Sequence, residues 1–415
     1  MSMNDNFCSI RIVFSLLLIS LLPPFLMVMG NQSSLAVGLL LCSLLVFLIN
    51  FRNVYFKSLK INLIYKIFSF AFIIFFYCVI PYFYYGDSKA LTLIPFLPVL
   101  AAAYLFSRTL VFASEIDLNK SIFFCFFILI FIGWLGFFTG GGVGPYSGYI
   151  KAVPPFAEQS HYALSVGFFA LSSLLLSGLF FSLFIIFNLF VLAFLFPSLT
   201  LLLFAMISFL LYFLRFGKKR FVFFVVLFCL LFFSLISWIS ANIHYFGDRL
   251  KFDAATNLTT LVWFQGWDLA YSNLIRSYGL GVGAQRLGLS EDQLVGTTYE
   301  IYRLYGAQYN LEDGGFLASK IISEFGVLGI VFVLYCSCKI CGYFLKLVSF
   351  GGRDAKTFVN DKAKIFYGLL IAFLVEMFFR GYGYYSPGVF LALSVSMALS
   401  ERSKKLAVRN SACQE

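Results

Sequence analysis

The 415-residue chain contains two histidines. One of them, His161, follows Glu158 by three positions in the stretch PPFAEQSHYAL. Residues three apart on a helix share a face, so a carboxylate and an imidazole would stand together there. An imidazole titrates near neutral pH and suits proton transfer. The same spacing also fits a glutamate stabilised by a helix N-terminal dipole beside a histidine at headgroup level. A second acidic group lies in NLEDGGFLASKIISEFGVLGIVF, with Glu312 and Asp313 directly ahead of an apolar helix and Glu324 inside it. Asp313 has the composition of a helix cap. A carboxylate within a membrane helix is costly, which makes Glu324 either paired or functional. Near the other end of the chain Glu376 and Arg380 are spaced to pair with each other on a helix, and RGYGYYSP after them reads as a short turn with an aromatic belt.

Arg249, Lys251, Arg276, Arg286 and Arg303 are interleaved with Trp263, Trp267, Tyr271, Tyr278, Tyr299, Tyr302, Tyr305 and Tyr309. Guanidinium forks bind phosphate oxygens in pairs and aromatic faces suit sugar rings, although any single arginine here also reads as a solvated or headgroup-facing charge. The run YGLGVGAQR resembles a phosphate cradle, but no strand precedes it and no helix follows it, as a dinucleotide fold would require. Asn257-Leu258-Thr259 matches the short glycosylation pattern.

These residues must be positioned by membrane helices. Hydrophobic residues make up 61% of the chain and charged residues 12%, with a mean hydropathy of +0.92, too few charges to cover a water-facing surface. The 56 phenylalanines and 24 tyrosines suit lipid-facing helices and interfacial belts. Apolar runs of the ~20 residues needed to cross a bilayer predict an all-α, polytopic single membrane domain over 1–415. About twelve spans are expected, at 10–29, 35–51, 62–82, 90–106, 121–138, 161–177, 179–196, 198–214, 221–240, 317–345, 365–379 and 387–400. The long run 163–214 is divided at Ser177-Gly178 and Pro197-Ser198. Pro154 and Pro155 are expected to open the helix that carries His161.

With twelve spans, the basic loops all fall on one side. They hold Arg52, Lys57 and Lys60; Arg108 and Lys120; Arg215, Lys218, Lys219 and Arg220; Arg353, Lys356, Lys362 and Lys364; and Arg402, Lys404, Lys405 and Arg409. The positive-inside rule makes that side cytoplasmic, with both termini inside. The segments 139–160 and 241–316 then lie outside. The net charge of +11 is thereby a topology signal, dispersed over short loops, and excludes nucleic acid as a partner. The nine cysteines avoid both outer loops, so no disulfide framework is expected there. Cys336, Cys338 and Cys341 sit in an apolar helix without His or carboxylate partners and read as small buried hydrophobes.

PPFAEQSHYAL and LEDGGFLASKIISEFGVLG resemble elements of the O-antigen polymerases of the Wzy type, integral membrane glycosyltransferases related to the O-antigen ligases. The usual first motif is Glu-Pro-Ser-His; here Gln159 replaces the Pro while Glu158, Ser160 and His161 stay in place. The second element resembles the ligase pattern His-Asn-x-x-Leu followed by Glu-x-Gly, with Asp313 at the His position, Leu317 at the Leu, Glu324 at the Glu and Gly326 at the Gly. The missing His favours a polymerase over a ligase. The resemblance implies a glycosyltransferase C-like membrane enzyme of the bacterial inner membrane, acting at its periplasmic face. The donor would be a growing glycan on undecaprenyl diphosphate and the acceptor a new lipid-linked repeat unit, with no cofactor or metal, and the sequence leaves open whether a chain-length regulator binds as a further protein partner. Glu158, His161 and Asp313 then compete as general base. Arg249, Arg276, Arg286 and Arg303 are the candidates to grip the diphosphate, with Glu324 and Arg380 in support. The alternatives are an O-antigen ligase or other lipid-linked glycan transferase, and a flippase or carrier. Carriers commonly show duplicated halves, and none is visible here.

Overall fold

The computed structural model describes residues 3–51, 61–140, 144–149, 152–227, 230, 257–289, 296–349 and 360–412. Among them the chain is all-α, with one isolated β-bridge between Val153 and Phe156. The helices are α1 (Met3–Met29), α2 (Ala36–Phe51), α3 (Ile61–Tyr85), α4 (Phe96–Phe112), α5 (Glu115–Thr139), α6 (Gln159–Leu176), α7 (Leu179–Leu195), α8 (Leu199–Phe213), α9 (Leu258–Arg276), α10 (Thr297–Tyr305), α11 (Leu317–Ser349), α12 (Asp361–Phe378) and α13 (Pro387–Ala412). By length and composition, five segments are able to cross a membrane: Ser9–Met29, Ser88–Phe112, Glu115–Thr139, Leu199–Phe216 and Leu317–Ser349.

Local signals set the helix ends. The Ser114 side chain accepts from Asp117 N at the start of α5, and Gly140, at φ 66, closes it in the left-handed conformation a Cβ disfavours. The apolar run 163–214 breaks at Ser177-Gly178 and again at Phe196 to Ser198, where the Ser198 hydroxyl caps α8. Pro154 and Pro155 do not open α6. Their peptide bond is cis and lies in a turn closed by Val153 N to Phe156 O and Phe156 N to Val153 O, so the helix starts only at Gln159. Within the segment 241–316, the described residues include α9 and α10. Asn257 caps α9 by accepting from Thr259 N at 2.9 Å, which gives that asparagine a structural task.

Helices α6 and α12 run antiparallel through the middle of the bundle and are buried along nearly their whole lengths. A Cβ at Gly368 would lie 2.7 Å from Ser172 Cα, so only glycine permits this approach, and Ser172 Oγ donates to Ile365 O at 3.2 Å across the seam. Gly167 makes similar room for the Phe204 ring of α8. The periphery is inverted relative to a water-soluble protein: Phe72, Phe76 and Phe83 of α3 and Phe124, Phe127 and Phe131 of α5 face outward. Such apolar faces fit lipid. At the end where α6 finishes and α12 begins, Arg108 pairs with Glu401, Arg215 donates to Leu174 O and Lys362 donates to Val111 O.

Helix α11 is bent at Gly326, whose φ of 58° and ψ of −132° are non-helical. The glycine run 279–283 fills the bend. Val282 N donates to Ser323 O, Gly283 N to Glu324 O, and Val327 N to Gly279 O. The run thus serves as a backbone splint. Beyond the bend, Cys338 and Cys341 are exposed and Cys336 half-buried. This corrects their reading as buried hydrophobes: that stretch of α11 has an open face toward the surroundings. Among the described residues no group of His, Cys, Asp and Glu is arranged to hold a metal.

Candidate active site at the end of the bundle

The residues 379–386 follow α12 and pass between the two acidic segments. Helix α12 ends at Phe378, so Arg380 is beyond it and does not pair with Glu376 as the i, i+4 spacing predicts. Arg380 Nη2 instead donates to Glu158 Oε2 at 3.0 Å. Ser160 Oγ donates to the same carboxylate oxygen at 3.0 Å, and His161 Nε2 lies 3.7 Å from it. Glu158 stands at the N-cap of α6 without a side-chain capping bond, and the ion pair with Arg380 is added to its position at the helix N-terminus. Partial burial works to raise the Glu158 carboxyl. The charges of His161 and Arg380 and the hydrogen bonds from Ser160 and Arg380 outweigh it, leaving the group below its ordinary 4.5. Tyr382 packs edge-on against the His161 ring, with centroids 4.2 Å apart.

On the other side of the turn, Gly381 N donates to Gly315 O at 2.9 Å, binding the turn to the segment that carries Asp313. A Cβ at Gly383 would press on Asp313 Oδ1 and Lys320 Nζ. Lys320, 2% exposed, donates to Asp313 Oδ1 at 3.0 Å and to Glu312 O at 2.7 Å, and its Nζ lies 4.0 Å from Glu324 Oε1. Asp313 therefore does not cap α11; it precedes the N-cap position by three residues and is paired with a buried ammonium. Glu324 Oε2 accepts from Tyr384 OH at 2.7 Å and from Gln285 N at 2.8 Å. Tyr384 and Tyr385 are buried, which corrects the expected aromatic belt: these rings point inward. Burial pushes both phenols, like that of Tyr382, well above their ordinary 10.0.

The long segment buttresses this arrangement. Gly266 of α9 sits so near the DGG turn that a Cβ there would be 2.3 Å from Gly314 O. Trp263 and Trp267 pack on Phe316, at centroid distances of 6.1 and 5.0 Å, and Trp263 Nε1 donates to Phe378 O. The arginines are scattered. Arg286 donates to Asp87 Oδ2 at 2.8 Å with its guanidinium 3.9 Å over the Tyr85 ring. Arg303 pairs with Glu300 on the exposed face of α10, Arg276 is exposed in the last turn of α9, and Arg249 lies outside the described residues.

Glu158, His161 and Arg380 are thus brought together, as are Asp313 and Glu324, and one turn joins the two groups. Lys320, Tyr382, Tyr384 and Glu376 escaped the sequence reading as site residues. Lys320 had a signal, since it stands i, i+7 from Asp313 and i, i+4 from Glu324 in an apolar helix; the tyrosines had none. No family model, curated protein or solved structure matches the chain.

Proposed function

We propose that the chain is a membrane glycosyltransferase of the O-antigen polymerase kind, which joins undecaprenyl-diphosphate-linked oligosaccharide units at the periplasmic face of the bacterial inner membrane. One observation carries the reading. The two segments that resemble the family's motifs, far apart in sequence, meet on the turn 379–386 at a single end of the bundle. That end holds carboxylates beside fixed cations, and these are the groups the transfer needs. An acceptor hydroxyl oxygen forms a bond to the donor's anomeric carbon as that carbon's bond to the diphosphate oxygen breaks. The hydroxyl proton passes to a carboxylate, Glu158 or Asp313, and the diphosphate leaves with the bonding electrons. A guanidinium held in place, as Arg380 is, stabilises developing negative charge without reorganising at the moment of reaction.

Deleting the gene and displaying surface glycan on a gel tests this. A single repeat unit on the lipid core in place of a ladder is expected. Complete loss of glycan would point to a ligase or flippase instead, and an unchanged ladder would overturn the proposal. With purified protein and lipid-linked repeat units, at least one of Glu158→Gln and Asp313→Asn is expected to lose about 10²–10⁴-fold in rate at near-normal abundance.

A further inference from the structure

Behind His161 lies a cavity that this reaction does not use. Its walls include His161, Ser165 and Phe168 of α6, Glu376 of α12, Tyr382 of the turn and Ser20 of α1. Its volume of about 20 Å³ suffices for one water. Three groups on its wall are buried without a partner inside the cavity: His161 Nδ1, the Tyr382 hydroxyl and the Glu376 carboxyl, whose neighbour outside the cavity lining is Ser386. Glu376 is 1% exposed. Its position depends on Gly388 at the start of α13, where a Cβ would fall 1.6 Å from Glu376 Oε2. Any side chain at 388 would displace the carboxyl. The titratable and charged groups around His161 are Glu158 from its own segment, Arg380 and Tyr382 from the turn, and Glu376. The cavity walls from α1 and α13 contribute no charge.

We infer that Glu376 is a positioning residue for His161: as a neutral carboxylic acid it donates through one water to Nδ1, which keeps the imidazole hydrogen on Nε2, facing Glu158. Three arguments converge on this. Glu158 is an ionised carboxylate on Arg380, so the nitrogen 3.7 Å away is favoured as a donor. A neutral imidazole with its hydrogen on Nε2 has a bare lone pair on Nδ1, which once buried requires a donor. A carboxyl buried with no cation in reach is costly as an anion, and in its neutral form it supplies that donor. His161 is then a fixed hydrogen-bond donor that steadies Glu158, and the general base is a carboxylate. This rests on Glu158 belonging to the reacting centre; the protonation pattern itself does not.

Because the chain has only two histidines, a His244→Gln background makes His161 the single source of histidine nitrogen signals. Nitrogen-15 NMR of selectively labelled protein in lipid nanodiscs reads which nitrogen carries the hydrogen. The expected spectrum has it on Nε2, with Nδ1 bare. Glu376→Gln retains this pattern, because the amide still donates to the water. Glu376→Leu shifts the hydrogen to Nδ1 or mixes the two forms, and Gly388→Ala does the same if the leucine variant does not accumulate. The inference fails if the leucine and alanine variants keep the parent spectrum, or if glutamine behaves as leucine does, which would require a charged carboxylate. In the joining assay, glutamine should stay near the parent rate and leucine should fall roughly 10–100-fold, as for other partners that orient a histidine. The expected spectra without any joining activity would count against the proposed reaction alone.

Discussion

Lys320 holds the second acidic group together with a single ammonium, bound to Asp313 and Glu312 and close to Glu324. Removing one partner of a buried ion pair leaves the other charge uncompensated. Lys320→Met is therefore expected to destabilise the protein, chiefly through the buried Glu324 because Asp313 is half-exposed, seen as a lower midpoint of thermal unfolding in detergent. An unchanged midpoint would mean that Glu324 does not depend on this lysine. Glu158 gives a prediction with a sign in pH. Its carboxyl is held below the ordinary 4.5, so the ionised form is favoured in the folded protein. The stability this contributes is complete above the ordinary carboxylate range and is lost as pH falls through the lowered value. The stability difference between the parent and Glu158→Gln should thus stay constant from neutral pH down to the ordinary carboxylate range and shrink only below it. A gap still constant at strongly acidic pH would remove the Arg380 pair as its source. Glu158, His161, Asp313 and Glu324 were legible as residues because ionisable groups are rare in so apolar a chain. Their partners were not, since Arg380 reaches Glu158 across 222 positions and local spacing offered the nearer Glu376.

At the scale of elements, α11 and the glycine run 279–283 depend on each other. A Cβ at Gly326 would lie 2.0 Å from Gly279 O at a φ of 58°, so Gly326→Ala both strains the backbone and displaces the splint. A loss of at least about 1–3 kcal/mol is expected for the conformation alone, together with faster limited proteolysis within 277–289. Equal proteolysis rates in parent and variant would show that the splint holds without the bend. The helix breaks at 177–178 and 196–198 were legible because serine, glycine and proline interrupt an otherwise continuous apolar run. Helices α9 and α10 were not: α10 is only nine residues long, and α9 is fixed by docking against residues distant in sequence, as Gly266 is against Gly314.

For the whole molecule, the paired ends of α5 offer a direct test of orientation. Ser147 and Lys120 are both exposed and lie beyond opposite ends of the apolar part of that helix. In a background lacking the native cysteines, cysteine at 147 should react with an impermeant maleimide in intact spheroplasts, whereas cysteine at 120 should react only after permeabilisation. The reverse pattern would turn the site toward the cytoplasm and remove the proposed periplasmic reaction. The class of the molecule was legible from composition alone, since outward phenylalanines and a few charges admit no aqueous solution. The meeting of the two motifs on one turn follows from the antiparallel seam of α6 and α12, which no local pattern encodes.

Trp263 and Trp267 are two of the four tryptophans in the chain, and both rest on Phe316, three residues after Asp313. Half of the indole side chains of this protein therefore sit beside the DGG turn. Indole fluorescence is sensitive to the polarity and packing of its surroundings, so the protein carries an internal optical probe of the segment that holds Asp313. Titration with a lipid-linked oligosaccharide would be followed without attaching a dye, and Trp134→Phe would lower the background without touching that turn.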